Sequence, residues 1–350
     1  MKILLRFIAP VIVMAAACSP GSPVMKNQGM FHGIIVVVPT PLTERQDVDA
    51  AGLAHLVNYY VEAGCHGVLL LGSGGEYPYF SIAEKKEIVR VGAGAARGRV
   101  PVIVGSGYCG FSELQTFIRE IASIKIDGLL ISLPTYYPVK ADDVTAYYAR
   151  LRSITGIPVL YYHFPQVTGL SLSARELSAV LSLPGIAGIK DSELKIPVMR
   201  ALMSMVSPEK PFSYFTGVGL LLTDTISLGG AGIIDPLASV APVLVVACYE
   251  ALVKGDLERA RGLQAGIDSL LPVMNTFSMS GSLQKAGFFL LSRLPFSTKS
   301  GTAPRHAVLK ETLRQLGHPI NATVKSPLPQ VTDEERSAVS VFIRDNGLKK

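Results

Sequence analysis

Charge is sparse in this chain: 17% of its 350 residues are Asp, Glu, Lys or Arg, against 49% that are hydrophobic. That balance buries one large core and leaves disorder only for the ends. Cysteine is scarce too. Cys18, Cys65, Cys109 and Cys248 stand far apart without a CxxC, and the six histidines include no HExxH. Neither a disulfide framework nor a protein-built metal site is indicated, and no cofactor is called for. His55 falls inside a helical pattern and His66 precedes a strand, so both read as packing or surface residues. The net charge of +6 comes from 33 basic and 27 acidic residues scattered along the chain. With no basic block interleaved with aromatics, nucleic acid is not an expected partner.

No apolar run is long enough for a comfortable transmembrane helix. The nearest is Phe7 to Ala17, preceded by Lys2 and Arg6 and running into Ala15-Ala16-Ala17-Cys18-Ser19, a signal-like arrangement. Residues 1–29 read as a leader or an over-long start, with Met25 or Met30 as the alternative beginning. A cytoplasmic enzyme is the favoured reading; export, or membrane attachment through a lipidated Cys18, is the other.

From there a short apolar run alternates with an amphipathic segment. The runs are Gly33–Val38, Gly67–Leu71, Pro101–Gly105, Gly128–Leu133, Ile157–Tyr162, Ile186–Lys190, Phe212–Thr216 and Gly232–Ile234. Eight such units are the number that closes a (β/α)8 TIM barrel, an α/β fold, here expected over residues 30–254. Ser81 with Glu84, Ser112 with Gln115 and Ser173 with Glu176 predict capping boxes. Leu114, Phe117, Ile118, Ile121 and Ile124 recur at helical spacing and predict one apolar face against the barrel. After about Lys254 the pattern turns helical without strands, which predicts a C-terminal helical extension over 255–350.

Gly105-Ser106-Gly107-Tyr108-Cys109-Gly110 matches GxGxxG between a strand and a helix, with Asp127 at roughly the distance of a ribose-binding acid. Such an acid should end a strand, whereas Asp127 precedes one and so faces the opposite end of the sheet. A dinucleotide site is therefore disfavoured.

Chemistry concentrates at other strand ends. Gly72-Ser73-Gly74-Gly75-Glu76 follows an apolar run, and its glycines can turn backbone N–H groups toward one carboxylate while Ser73 adds a hydroxyl. Lys190 closes Gly185-Ile186-Ala187-Gly188-Ile189-Lys190-Asp191 with almost nothing polar ahead of it. An amine attacks a carbonyl only when neutral, and an apolar interior favours that form. Strand alternation sends Asp191 to the face opposite Lys190, and likewise turns Tyr162 inward while Tyr161 and His163 point away. Tyr162 then neighbours Lys190 on the adjacent strand, near enough for a phenol to protonate a carbinolamine or an alkoxide.

These clusters, in this order, resemble the dihydrodipicolinate synthase/N-acetylneuraminate lyase family of pyruvate-using class I aldolases and lyases. Gly72–Glu76 is similar to its G-[TS]-x-G-E loop, and Pro134-Thr135-Tyr136-Tyr137 to its P-x-Y segment. Tyr162-His163-Phe164-Pro165 followed by Thr168-Gly169 resembles its strand-five segment, and Gly188-Ile189-Lys190-Asp191 its G-[IL]-K. The resemblance implies that Lys190 forms an imine with a 2-keto acid, usually pyruvate, and that Ser73 and the Gly74 amide hold its carboxylate. It makes Tyr162 the proton-transferring phenol and Tyr136 the hydroxyl relay across a subunit contact, with Tyr137 able to take its place. It adds Thr168, Gly217 and Ile234 as substrate contacts, with Asp235 and Ser239 helping to choose the aldehyde. A homo-oligomer, a tetramer or dimer, follows from the relay. His163 stands where the family often has Asn and reads as structural.

Two positions depart from the synthase branch. Gly74 replaces a second hydroxyl residue, and Val167 stands where an Arg clamps a second carboxylate, a bidentate contact valine cannot make. The expectation is a Schiff-base lyase or aldolase joining or splitting pyruvate and an aldehyde. A synthase or dehydratase working on the same imine is the alternative, and a catalytically silent keto-acid or sugar-acid binding protein is the reading from a different class.

Overall fold

The computed structural model describes residues 29–107, 110–133, 137, 139–205, 211–273 and 305–348. Its centre is a closed barrel of eight parallel strands in sequence order. They are β1 (Gly33–Val37), β2 (Gly67–Leu70), β3 (Val102–Ser106), β4 (Gly128–Ser132), β5 (Val159–His163), β6 (Ile186–Asp191), β7 (Ser213–Thr216) and β8 (Gly232–Asp235). Each lies within two residues of its apolar run. β1 pairs with β8 through Ile34 against Ile233 and Ile35 against Ile234, which closes the cylinder.

The strands are buried on both faces, so they read as continuous apolar runs rather than alternating ones. Ile35, Val37, Leu69, Ile103, Leu130, Leu160, Tyr162, Phe215 and Ile234 fill the inside of the barrel. Their alternate neighbours, among them Ile34, Val36, Val68, Val104, Leu129, Ile131, Tyr161 and Ile189, pack outward against the helices. Close strand contact also sets composition: a Cβ at Gly188 would lie 2.2 Å from the Ser213 carbonyl oxygen on β7.

The connecting helices include α1 (Ala50–Glu62), α2 (Ile82–Ala96), α3 (Phe111–Glu120), α4 (Ala141–Arg152), the single turn α5 (Pro165–Thr168), α6 (Ala174–Leu181), α7 (Ile196–Ser204) and α8 (Leu222–Ser227). Ser81 and Glu84 form a full capping box on α2, as do Ser173 and Glu176 on α6. The third expected box is absent. α3 starts at Phe111 with Gly110 as its cap, which places Ser112 inside the first turn. Phe111 packs edge-on against Tyr147, with the Arg150 guanidinium 4.0 Å from its ring centroid, and this docking draws the helix start forward. Leu114, Phe117, Ile118 and Ile121 are buried as the spacing predicts, and Ile124 packs against the same core just beyond the helix.

After β8 come α9 (Leu237–Val240), α10 (Pro242–Lys254) and α11 (Leu257–Ser269). Two further helices, α12 (His306–Gln315) and α13 (Asp333–Asp345), close the described chain. They fold back on the barrel: His318, just past α12, meets His55 on α1 with 3.1 Å between ring nitrogens, and the Asn321 amide donates to the Leu42 carbonyl. His66 accepts from the Ile34 N–H, a packing role. Cys65 and Cys248 are buried free thiols. Among the described residues no helix is long and apolar enough to cross a membrane. The leader with Cys18 lies outside the described residues.

Candidate active site

Because the strands are parallel, their C-terminal ends gather at one mouth of the barrel. Lys190 stands there on β6, in register with Tyr162 on β5 and Phe215 on β7. It is 3% exposed, and its Nζ lies 4.4 Å from the centroid of the Tyr162 ring. Phe164 stacks on Tyr162, centroids 5.1 Å apart, which fixes the ring plane. The Ser73 hydroxyl donates to the Tyr162 phenol oxygen at 3.4 Å, so the glycine loop after β2 meets the phenol across the mouth. Gly217 borders the amine from β7: a Cβ there would lie 3.2 Å from Lys190 Cε and 2.1 Å from Ser192 Oγ.

Asp191 faces away from this space. It accepts from the Tyr214 hydroxyl at 2.7 Å and the Glu193 N–H at 2.8 Å, and burial pushes its carboxyl up. Behind the same strands the Tyr161 hydroxyl meets His163 Nδ1 at 3.0 Å, and His163 Nε2 lies 3.4 Å from Glu193. Burial would raise the Glu193 carboxyl, but bonds from His163, Lys195 and Ser171 hold it down at about 2. The anionic groups next to the amine in sequence are thus engaged on the outer face. Among the described residues Lys190 has no carboxylate partner in an ion pair.

The glycine loop is a 3-10 turn over Ser73–Gly75, bracketed by Leu71 at φ 54° and Glu76 at φ 61°. Left-handed backbone at such residues costs roughly 1–2 kcal/mol each, and strain of this kind persists only where surroundings hold it. Here the Thr40 hydroxyl holds the Gly75 carbonyl at 2.8 Å. A side chain at Gly74 would press on Val37 and Pro236, with a Cβ only 3.2 Å from Val37 Cγ1. The missing second hydroxyl therefore has a packing reason.

The other expected residues fall unevenly. Ile234 fills the inner layer beside Ile35. Thr168 turns its hydroxyl to its own backbone, donating to the Phe164 carbonyl at 3.2 Å and accepting from Leu170 N–H at 3.4 Å. Val167 is 40% exposed, and Ser239 donates to the Pro236 carbonyl. Tyr136 lies outside the described residues, and its neighbour Tyr137 is 76% exposed. The GxGxxG segment resolves against a nucleotide: Asp127 accepts from the Val102 N–H at the start of β3, the end remote from the glycines. Tyr108 and Cys109 lie outside the described residues.

The sequence reading missed Ser132 and Tyr77, whose hydroxyls meet at 3.2 Å, and the Phe164 stack. Ser132 could have been found from its parity with the inward Leu130 and its register with Tyr162; Tyr77 left no such signal.

Asp235, at the end of β8, accepts from the Leu237 and Gly219 N–H groups. Burial pushes its carboxyl up to about 6, against those two bonds and the nearby Lys190 charge. A carboxyl raised in the folded state stabilises most below its ordinary range near 3.8 and loses that contribution as pH climbs through about 6. Urea unfolding of wild type and Asp235→Asn should accordingly show the difference in stability moving in favour of the variant between pH 4 and pH 7. An offset independent of pH would rule out this ionisation.

The sequence of residues 30–286 matches the dihydrodipicolinate synthetase family. A Halobacterium salinarum protein named an uncharacterized DapA-like lyase is 30% identical over 318 residues, covering 91% of this chain and 95% of its own. The putative 2-dehydro-3-deoxy-D-gluconate aldolase YagE of Escherichia coli K12 is 29% identical over 303 residues, 83% of this chain and 99% of its own. The solved structure of YagE in complex with pyruvate superposes with a TM-score of 0.78 at 25% identity, covering 91% of this chain and 99% of that one. With an eight-stranded barrel, a family match over residues 30–286 and relatives named as lyases and aldolases, the chain belongs to the dihydrodipicolinate synthetase family.

Proposed function

We propose that this protein is a class I aldolase that joins pyruvate to an aldehyde, or splits the product, through an imine on Lys190. The observation that carries the reading is a buried amine lying against Tyr162, without a carboxylate ion-pair partner among the described residues, beside a phenol already in contact with Ser73. The names of the aldolase and lyase relatives and the pyruvate bound in YagE support it.

In this reading Ser73 and the Gly74 amide hold the keto-acid carboxylate. The Lys190 amine attacks the C2 carbonyl, and the carbinolamine loses water to give the imine, with Tyr162 supplying the proton. The Tyr162 phenolate left by that donation takes a C3 proton to give the enamine, whose C3 attacks the aldehyde carbonyl. Tyr162 protonates the resulting alkoxide, and hydrolysis of the imine frees a 4-hydroxy-2-keto acid and the amine. Tyr136 acts as relay across a contact between subunits of a homo-oligomer.

Pyruvate with borohydride should add one reduced three-carbon adduct to Lys190, located by peptide mass mapping. Bound pyruvate without any adduct would favour the silent binding protein, and an adduct on another lysine would displace Lys190 as nucleophile. An aldehyde screen coupled to pyruvate consumption then identifies the partner.

Val167 separates this reading from the lysine-pathway synthase. With no guanidinium at this position, condensation of pyruvate with aspartate semialdehyde should be at background, and Val167→Arg should bring a weak gain. Robust condensation by the unaltered protein, followed by loss of both reactants, would overturn the argument.

A further inference from the structure

Glu76 ends the glycine loop with its carboxylate fully buried, and nothing in the loop itself neutralises that charge. Its partner comes from the far end of the chain. Lys310 on α12, also fully buried, places its Nζ 2.5 Å from Glu76 Oε1 and donates to the Thr323 carbonyl at 2.7 Å. The Lys325 N–H donates to Glu76 Oε2 at 2.8 Å, and the Lys325 ammonium pairs with Glu84 on α2 at 2.6 Å. Burial lowers the Lys310 ammonium and the Glu76 charge raises it. Each ion needs the other, since a lone charge at such a site is strongly disfavoured.

This clasp grips the loop at a consequential point. Glu76 sits in left-handed backbone, and its N–H closes the 3-10 turn on the Ser73 carbonyl. The turn it closes carries the Ser73 hydroxyl that reaches Tyr162. Fixing the Glu76 carboxylate therefore fixes the orientation of Ser73 and of the Gly74 amide.

We propose that Lys310 is a positioning residue through which the C-terminal extension holds the keto-acid carboxylate cradle in its binding geometry. The inference rests on the reading of Ser73 and Gly74 as that cradle and of Lys190 as the imine-forming amine. It assigns the extension a share in substrate affinity and leaves the amine's own chemistry untouched.

The test uses borohydride trapping on the full chain, with pyruvate and with the uncharged pyruvamide. Lys310→Met should raise the pyruvate concentration for half-maximal labelling by roughly 10–100-fold, the scale of displacing a positioned binding group. Maximal labelling of Lys190 at saturating pyruvate should persist, and the pyruvamide dependence should stay within about twofold, because pyruvamide carries no carboxylate for the cradle to hold. General loosening of the barrel would weaken both compounds alike, and that result overturns the proposal. So does an unchanged pyruvate dependence in folded Lys310→Met, with the wild type labelled normally. If Lys310→Met does not fold, the neutral pair Glu76→Gln with Lys310→Met removes the stranded charge while keeping the volume, and the same selective weakening is expected of it. Absence of any adduct on the wild type refutes the imine reading itself, and the proposal falls with it. That outcome is distinguishable because it appears before any variant is made.

Discussion

Lys190→Ala is expected to abolish both pyruvate labelling and turnover while leaving the barrel folded. The side chain lines the mouth and, among the described residues, forms no ion pair; the buried Asp235 carboxyl that feels its charge keeps the Leu237 and Gly219 N–H bonds when the amine is removed. No other residue assigned to the imine chemistry supplies a primary amine. Of the other buried lysines near the glycine loop, Lys310 is paired with Glu76, and Lys85 projects from α2 with its Nζ 6.0 Å from the Tyr77 ring centroid; neither is expected to substitute. The measurement is intact mass after pyruvate and borohydride, together with thermal unfolding. Retained labelling in a folded variant would move the nucleophile elsewhere and leave the aldolase class standing.

Tyr162→Phe should give the second largest effect, a slowing of turnover by roughly 10²–10⁴-fold, the range for losing a positioned acid–base group. Some labelling should survive, since imine formation retains the amine and the carboxylate cradle. The ring itself is kept, and with it the Phe164 stack and the contact with Lys190, so the loss isolates the hydroxyl that Ser73 touches. A kcat within twofold of wild type, with pyruvate labelling also unchanged, would show that Tyr162 serves only packing. The pair of variants thus separates bond formation at the amine from proton transfer at the phenol.

The barrel was legible in the chain because its rules are local. Strands buried on both faces favour apolar runs, and most of the eight obey this up to the polar residues at their C-terminal ends, β7 (Ser213–Thr216) least. Alternation along β6 was enough to send Asp191 outward and leave Lys190 without it, and alternation along β5 turned Tyr162 inward. Local rules also had their limit. The Ser112 box lost to Gly110 because Phe111 docks on Tyr147 and Arg150, an attraction from α4 that the sequence of α3 does not contain.

What the sequence by itself determined, then, was the closed barrel and the identity of the groups at its strand ends, since period and strand direction place those groups without reference to distant residues. Tertiary structure alone decided which of them touch. The contact between Ser73 and Tyr162 spans 89 residues, and the hold of Lys325 on Glu76 spans 249. Lys310 carries no local mark of its role: it sits mid-helix in α12 and is buried because the returning chain carries it onto the glycine loop. A buried charge is tolerated only against its counter-charge, and with such separations in sequence that counter-charge is found by the fold.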